Sequence, residues 1–106
     1  MVEMEKKLNE LSISRDAMED EIQEIVNELN SPGINGEPPG RLKGPLVDQD
    51  GFPRGDIDIY MVRTKRHRFA VLQTDHKETM KQIEDLLPKY VNITRYNIKL
   101  LMLMNV

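Results

Sequence analysis

A chain of 106 residues with a net charge of −3 and 31% charged residues is sized for one domain and carries no field strong enough to draw it wholesale to nucleic acid or anionic lipid. It has no cysteine, no N-terminal apolar run behind a basic stretch, and nothing approaching the roughly 18 apolar residues of a membrane span. Disulfide scaffolds and membrane-spanning bundles are thereby excluded, and the expectation is a soluble protein of the cytoplasm and nucleus.

Residues 2 to 29 contain neither Gly nor Pro. Within them Met4, Leu8, Leu11, Met18, Ile22, Ile25 and Leu29 recur at alternating steps of four and three, with Arg15 in the one missing place. That spacing predicts a coiled-coil-like helix over about 2–29. Its second half is crowded with Glu19, Asp20, Glu21, Glu24 and Glu28, where the helix dipole favours cations, so something basic should lie beside it. Asn30-Ser31-Pro32-Gly33 stops the helix, because Pro cannot continue the ladder and Gly and Asn accept left-handed backbone. Residues 30 to 55 then read as a connector. Its first part is rich in Gly and Pro and loop-like; its second part, with Leu46, Val47 and Phe52, should be ordered against the helices.

From Asp56 to Leu87 Gly and Pro are again absent. Two readings compete for 56–72. Ile57, Ile59 and Met61 alternate with polar residues and Phe69 to Leu72 offers a second strand, but a β-hairpin would have to turn at Thr64 to His67, which lacks every residue suited to a tight turn. A helix explains more: Asp56 and Asp58 fall in its first turn, and Val62, Phe69, Leu72, His76, Met80, Ile83 and Leu87 fall near one face. The helical segment is expected over 56–89, with a kink or break within the polar stretch 73–79. Folded back antiparallel on the first helix, it would set Arg63, Lys65, Arg66 and Arg68 opposite Glu19 to Glu24. Such pairs select orientation more than they supply stability. The fold class is therefore all-α, an antiparallel helical hairpin with a long ordered connector. Residues 91–106 are apolar without a period and read as a tail, packed as a third element or disordered.

No chemistry assembles from the remaining motifs. His67 and His76, nine residues apart, point to opposite sides of one helix and cannot share a metal. Asp48, Asp50 and Gly51 resemble the middle of a calcium loop, but Leu46 and Ile57 stand where its first and last carboxylates belong. Arg54-Gly55-Asp56 matches the integrin tripeptide without an extracellular context, Asn92-Ile93-Thr94 is a sequon of use only in a secreted chain, and the glycines at 33, 36, 40 and 44 make no phosphate loop. The basic run 63–68 lacks the aromatic interleaving of a nucleic-acid site and suits intramolecular pairing or an acidic protein partner better. No nucleophile, base and orienting group come together, so an enzyme is not expected, nor a cofactor or metal.

Pro45-Leu-Val-Asp48, Gly51-Phe-Pro-Arg54, Asp56-Ile-Asp-Ile-Tyr60, Val62-Arg-Thr64, Arg66-His67, Leu72-Gln73, Asp75-His-Lys77 and Met80-Lys-Gln-Ile-Glu84 follow one another in an order that closely resembles the N-terminal domain of the 26S proteasome non-ATPase regulatory subunit 9 family. These are assembly chaperones of the proteasome regulatory particle. The resemblance implies a non-catalytic helical chaperone domain over 1–90 that binds the C-terminal small domain of one AAA-ATPase subunit of the particle's base. It covers about half of the chain and departs after Tyr90, where the family's charged linker and PDZ domain are absent and the apolar tail 91–106 stands instead. Leu46, Val47, Phe52, Pro53, Arg54, Asp56, Asp58, Tyr60, Arg63, Arg66 and His67 are the residues it marks for partner contact or for fixing the loop, with Leu46 and Phe52 expected to pack and Tyr60, Arg63 and Arg66 to make exposed contacts. A monomer is expected ahead of a dimer, without nucleic acid or membrane. The alternative is a homodimeric coiled-coil scaffold or adaptor, suggested by the heptads of the first segment.

Overall fold

The computed structural model describes residues 2–104; Met1, Asn105 and Val106, which belong to the expected domain and tail, lie outside the described residues. Two helices account for the regular structure, α1 (Val2–Asn30) and α2 (Ile59–Met104). Among the described residues there is no strand, and Val47 and Pro53 form an isolated antiparallel bridge inside the connector. The hairpin alternative for 56–72 is thus not adopted. Thr64 to His67 lie within α2, as their lack of turn residues requires.

The chain divides into two compact units, one from Met18 to Asp75, the other from the start of α1 up to Ala17 together with α2 from His76 onward. In the first unit Ile25, Leu29, Ile57, Val62 and Leu72 form the buried core, with Met18, Ile22, Leu42, Leu46, Ile59, Met61 and Phe69 packed around it. Leu29 and Val62 are wholly buried. Here the helices run antiparallel: the Lys65 ammonium lies 3.3 Å from a Glu28 carboxylate oxygen, and Arg68 grips Glu21 with two hydrogen bonds, one of 3.0 Å. Two of the four cations expected opposite the acidic stretch therefore pair with α1, Lys65 doing so beyond the stretch at Glu28. Arg63 and Arg66 do not.

In the second unit Leu11, Ile83 and Thr79 are buried, and Leu8, Leu86 and Tyr90 are half-buried. The inward positions 76, 79, 83, 86 and 90 keep a step averaging three and a half residues, the coiled-coil repeat. The expected face differs by one position in two places. Met80 is only half-buried where Thr79 is buried, and Leu87 is 46% exposed where Leu86 turns inward. Following the apolar residues alone drifts off a seam that admits Thr79.

The ends of α2 also differ from expectation. It starts at Ile59 because Asp58 caps it: the carboxylate accepts from Met61 N at 3.0 Å and the carbonyl from Val62 N at 3.0 Å. Asp56 stays outside and pairs with Arg54. At the other end α2 passes through Pro88 and runs to Met104, so most of the expected tail is helix. Pro88 is exposed and removes one backbone donor, an interruption that costs a helix interior about 3 kcal/mol. Beyond it Tyr96, Ile98, Leu101, Met102 and Leu103 stand exposed.

The connector is tied to the end of α1 by one residue that the breaker-rich pattern conceals. Arg41 is 2% exposed. Its Nη2 donates to the carbonyls of Glu28 at 3.0 Å and Ser31 at 3.1 Å, its Nε to Pro38 at 3.0 Å, and its backbone N–H to Leu29 at 2.7 Å. The last turn of α1 has no basic residue of its own. Arg41 supplies the missing cation and satisfies carbonyls that the helix end leaves without donors.

Candidate partner-docking face

Between Pro45 and Asp58 the chain closes on itself. The Asp48 carboxylate accepts from the backbone N–H of Asp50 at 2.9 Å and of Phe52 at 3.0 Å, while Asp48 N donates to the Phe52 carbonyl at 2.8 Å and Gly51 N to the Asp48 carbonyl at 3.1 Å. Gly51 has a φ of 84°, the left-handed conformation that glycine adopts without a side-chain clash. Arg54 locks the far side. Its guanidinium meets both Asp56 oxygens, at 3.0 and 2.8 Å, and reaches the Pro45 carbonyl at 3.3 Å, while its N–H donates to Leu46 at 3.0 Å. The paired charges hold the Asp56 carboxyl below its ordinary value and raise the Arg54 guanidinium, chiefly through their mutual hydrogen bonds.

This bonding decides where the apolar side chains go. Leu46 packs on the core as expected, but Phe52 is 67% exposed and Val47 49% exposed. The expectation that Phe52 packs inward is therefore corrected: with both its N–H and its carbonyl bonded to Asp48, its ring is left on the outside. Pro53 lies beside it and, with Ile59, Tyr60, Arg63, Thr64 and His67 of the first turns of α2, lines an open groove of about 770 Å³. Tyr60 is 82% exposed. Its neighbours Ile57 and Val62 are buried, so the helix is anchored by one face and presents Tyr60, Arg63 and His67 on the other.

The eleven residues marked in the sequence thus divide by what they touch. Val47, Phe52, Pro53, Tyr60, Arg63 and His67 are exposed, the last four together in one groove. Leu46 is in the packing, Arg54 and Asp56 brace the loop, and Asp58 caps α2 while its N–H donates to Glu37 at 3.0 Å. Arg66, expected to be an exposed contact, is half-buried: its Nε donates to the Arg41 carbonyl and its Nη1 to the Gly44 carbonyl, each at 3.0 Å. Ile59 and Thr64 complete the groove, the Arg41 carbonyl accepts from Arg66 and the Glu37 carboxylate from Asp58 N, and none of the four was marked. The want of a cation at the end of α1 was the available signal for Arg41. Among the described residues no group of three or more His, Cys, Asp or Glu is placed to hold a metal ion, and no helix is long and apolar enough to cross a membrane.

Comparison with known families places this arrangement. The family model of the Nas2 N-terminal domain matches residues 8–91. The chain belongs to the Nas2 N-terminal domain family. Relatives of this Nas2-type domain include the 26S proteasome non-ATPase regulatory subunit 9 of Drosophila melanogaster, 57% identical over 49 residues, which are 46% of this chain and 22% of that protein. The Homo sapiens protein of the same name is 54% identical over 46 residues, 43% of this chain and 21% of that one. The probable 26S proteasome regulatory subunit p27 of Schizosaccharomyces pombe is 41% identical over 68 residues, 63% of this chain and 32% of its own. The chain therefore spans about a fifth to a third of the curated relatives it matches. No solved structure matches it.

Proposed function

We propose that this Nas2-type domain is a non-catalytic assembly chaperone module of the proteasome regulatory particle, acting in the cytoplasm and nucleus, and that it binds the C-terminal small domain of one AAA-ATPase subunit of the base. The observation that carries the reading is Phe52, a large apolar side chain held outward by a loop whose hydrogen bonds are closed locally. A rigid, exposed aromatic beside a groove containing Tyr and Arg has the make-up of a binding hot spot, and little ordering entropy is lost when it docks. The family match and the names of the relatives supply the proteasome as the setting. The homodimeric alternative is less well supported, because the heptad positions Leu11, Ile25 and Leu29 are already buried within the chain.

Calorimetric titration of the isolated C-terminal domain of each base ATPase into the 106-residue chain tests this. One of the domains should saturate the chain, and Phe52→Ala combined with Tyr60→Ala should weaken that binding at least tenfold with an unchanged thermal melt. Binding to none of them would sink the proposal.

A further inference from the structure

The basic run from Arg63 to Arg68 looks like one patch in the sequence and is three things in the structure. Lys65 and Arg68 pair with Glu28 and Glu21 of α1. Arg66 binds the carbonyls of Arg41 and Gly44. Among the described residues, no acidic side chain pairs with Arg63 or His67, and these two both line the groove with Pro53, Ile59 and Tyr60. No acidic residue lines it. Asp56 is engaged with Arg54 and Asp58 with the start of α2, and Asp75 lines a separate neighbouring hollow with His67. The Thr64 hydroxyl donates to the Tyr60 carbonyl at 2.8 Å, so the floor offers apolar surface more than free donors.

We infer that this groove takes an acidic protein segment, with one apolar side chain seated against Pro53, Ile59 and Tyr60 and flanking carboxylates meeting Arg63 and His67. The inference rests on the docking-face reading above and adds to it the chemistry of the occupant. Charge complementarity selects that chemistry. Two free basic side chains over an apolar floor match a short acidic-apolar peptide, whereas a nucleic-acid backbone needs a row of cations, and the rest of this row is paired. Rim charges of this kind act on association rate and salt dependence as much as on affinity.

The test is a two-dimensional amide NMR titration of the whole 106-residue chain with the synthetic peptide Glu-Glu-Leu-Phe-Glu-Glu, its Gln-for-Glu counterpart and a short DNA duplex. Shifts should concentrate at residues 52, 54 and 59–67, which flank or line the groove with Pro53, weaken on raising salt, fall about tenfold for the Gln peptide and for Arg63→Glu, and leave the rest of the spectrum native. No shifts at millimolar peptide, equal shifts from the Gln peptide, or equal or stronger shifts from DNA would overturn the inference. So would concentration-dependent shifts of the same amides without peptide, which would mark a second copy as the occupant. The ATPase-domain titration separates the two readings: full binding by Arg63→Glu defeats the acidic-segment inference and leaves the chaperone reading standing, while peptide shifts without any ATPase binding do the reverse.

Discussion

Replacing Arg41 with Ala should be the most damaging polar substitution in the domain. Three hydrogen bonds from its guanidinium reach the carbonyls of Pro38, Glu28 and Ser31, and its third nitrogen, Nη1, lies 3.5 Å from the Glu37 carboxylate without a hydrogen bond. Hydrogen bonds to charged groups contribute about 1.5–3 kcal/mol each, but they share one desolvated guanidinium and water reaches exposed Glu28 and Ser31 when it is gone. The loss is therefore below the sum of the three, at about 3–5 kcal/mol. A chain of this size has a total stability of about 5–15 kcal/mol, so Arg41→Ala removes about a fifth of it or more. Urea unfolding followed by circular dichroism measures this, with an unchanged m-value showing that the same surface is exposed. Arg41→Lys should recover only part of the loss, since one ammonium cannot span three carbonyls in two directions. Glu37→Gln should cost about 1 kcal/mol or less, because the amide oxygen still accepts from Asp58 N and the pair it breaks lacks a hydrogen bond. If Arg41→Ala lies within about 1 kcal/mol of the parent, or Glu37→Gln costs as much as Arg41→Ala, then the carbonyl clamp is not what holds the connector.

Other substitutions separate packing from presentation. Leu29→Ala, at a wholly buried position, should cost about 2–5 kcal/mol, whereas Phe52→Ala should change the unfolding free energy by no more than about 0.5 kcal/mol; comparable losses would contradict the outward placement of Phe52. Asp58→Ala removes the cap of α2 and should cost about 1 kcal/mol, with raised amide exchange at Met61 as the specific sign. Acid should destabilise the fold in a defined window. Glu21 is held below its ordinary value chiefly by the hydrogen bond from Arg68, with the charges of Arg68 and Lys65 adding, and Asp56 is held down by Arg54. The unfolded chain therefore takes up protons first, so the contribution of these pairs is complete above about pH 4.5 and is lost as pH falls below the ordinary carboxylate range. Glu21→Gln should flatten that acid limb in pH-dependent melts, and an unaltered limb would count against the pairing.

The seam of α1 was legible because nearly every inward position is apolar, and the hairpin followed from two breaker-free segments around a breaker-rich one. α2 was harder for a physical reason: its seam includes Thr79, and a reader who follows apolar residues is carried to Met80 and Leu87. Its C-terminal run is apolar without a period from which a helix could be read. The site was legible as a list and not as an arrangement. Phe52 in isolation belongs in a core, and only the bonds at Asp48 turn it out. Arg66 and Arg63 are indistinguishable as letters, yet one donates to loop carbonyls and the other has no acidic partner among the described residues.

The local closure of the loop has an evolutionary consequence. Because the hydrogen bonds of residues 46–54 run through backbone groups, Asp48 and Arg54, the side chains at 47, 49 and 52 bear little of the fold's stability. Selection can therefore act on them through partner contact alone, so where Val47 and Phe52 recur in the Pro45-Leu-Val-Asp48 and Gly51-Phe-Pro-Arg54 motifs of related domains, binding keeps them and not the stability of the helices.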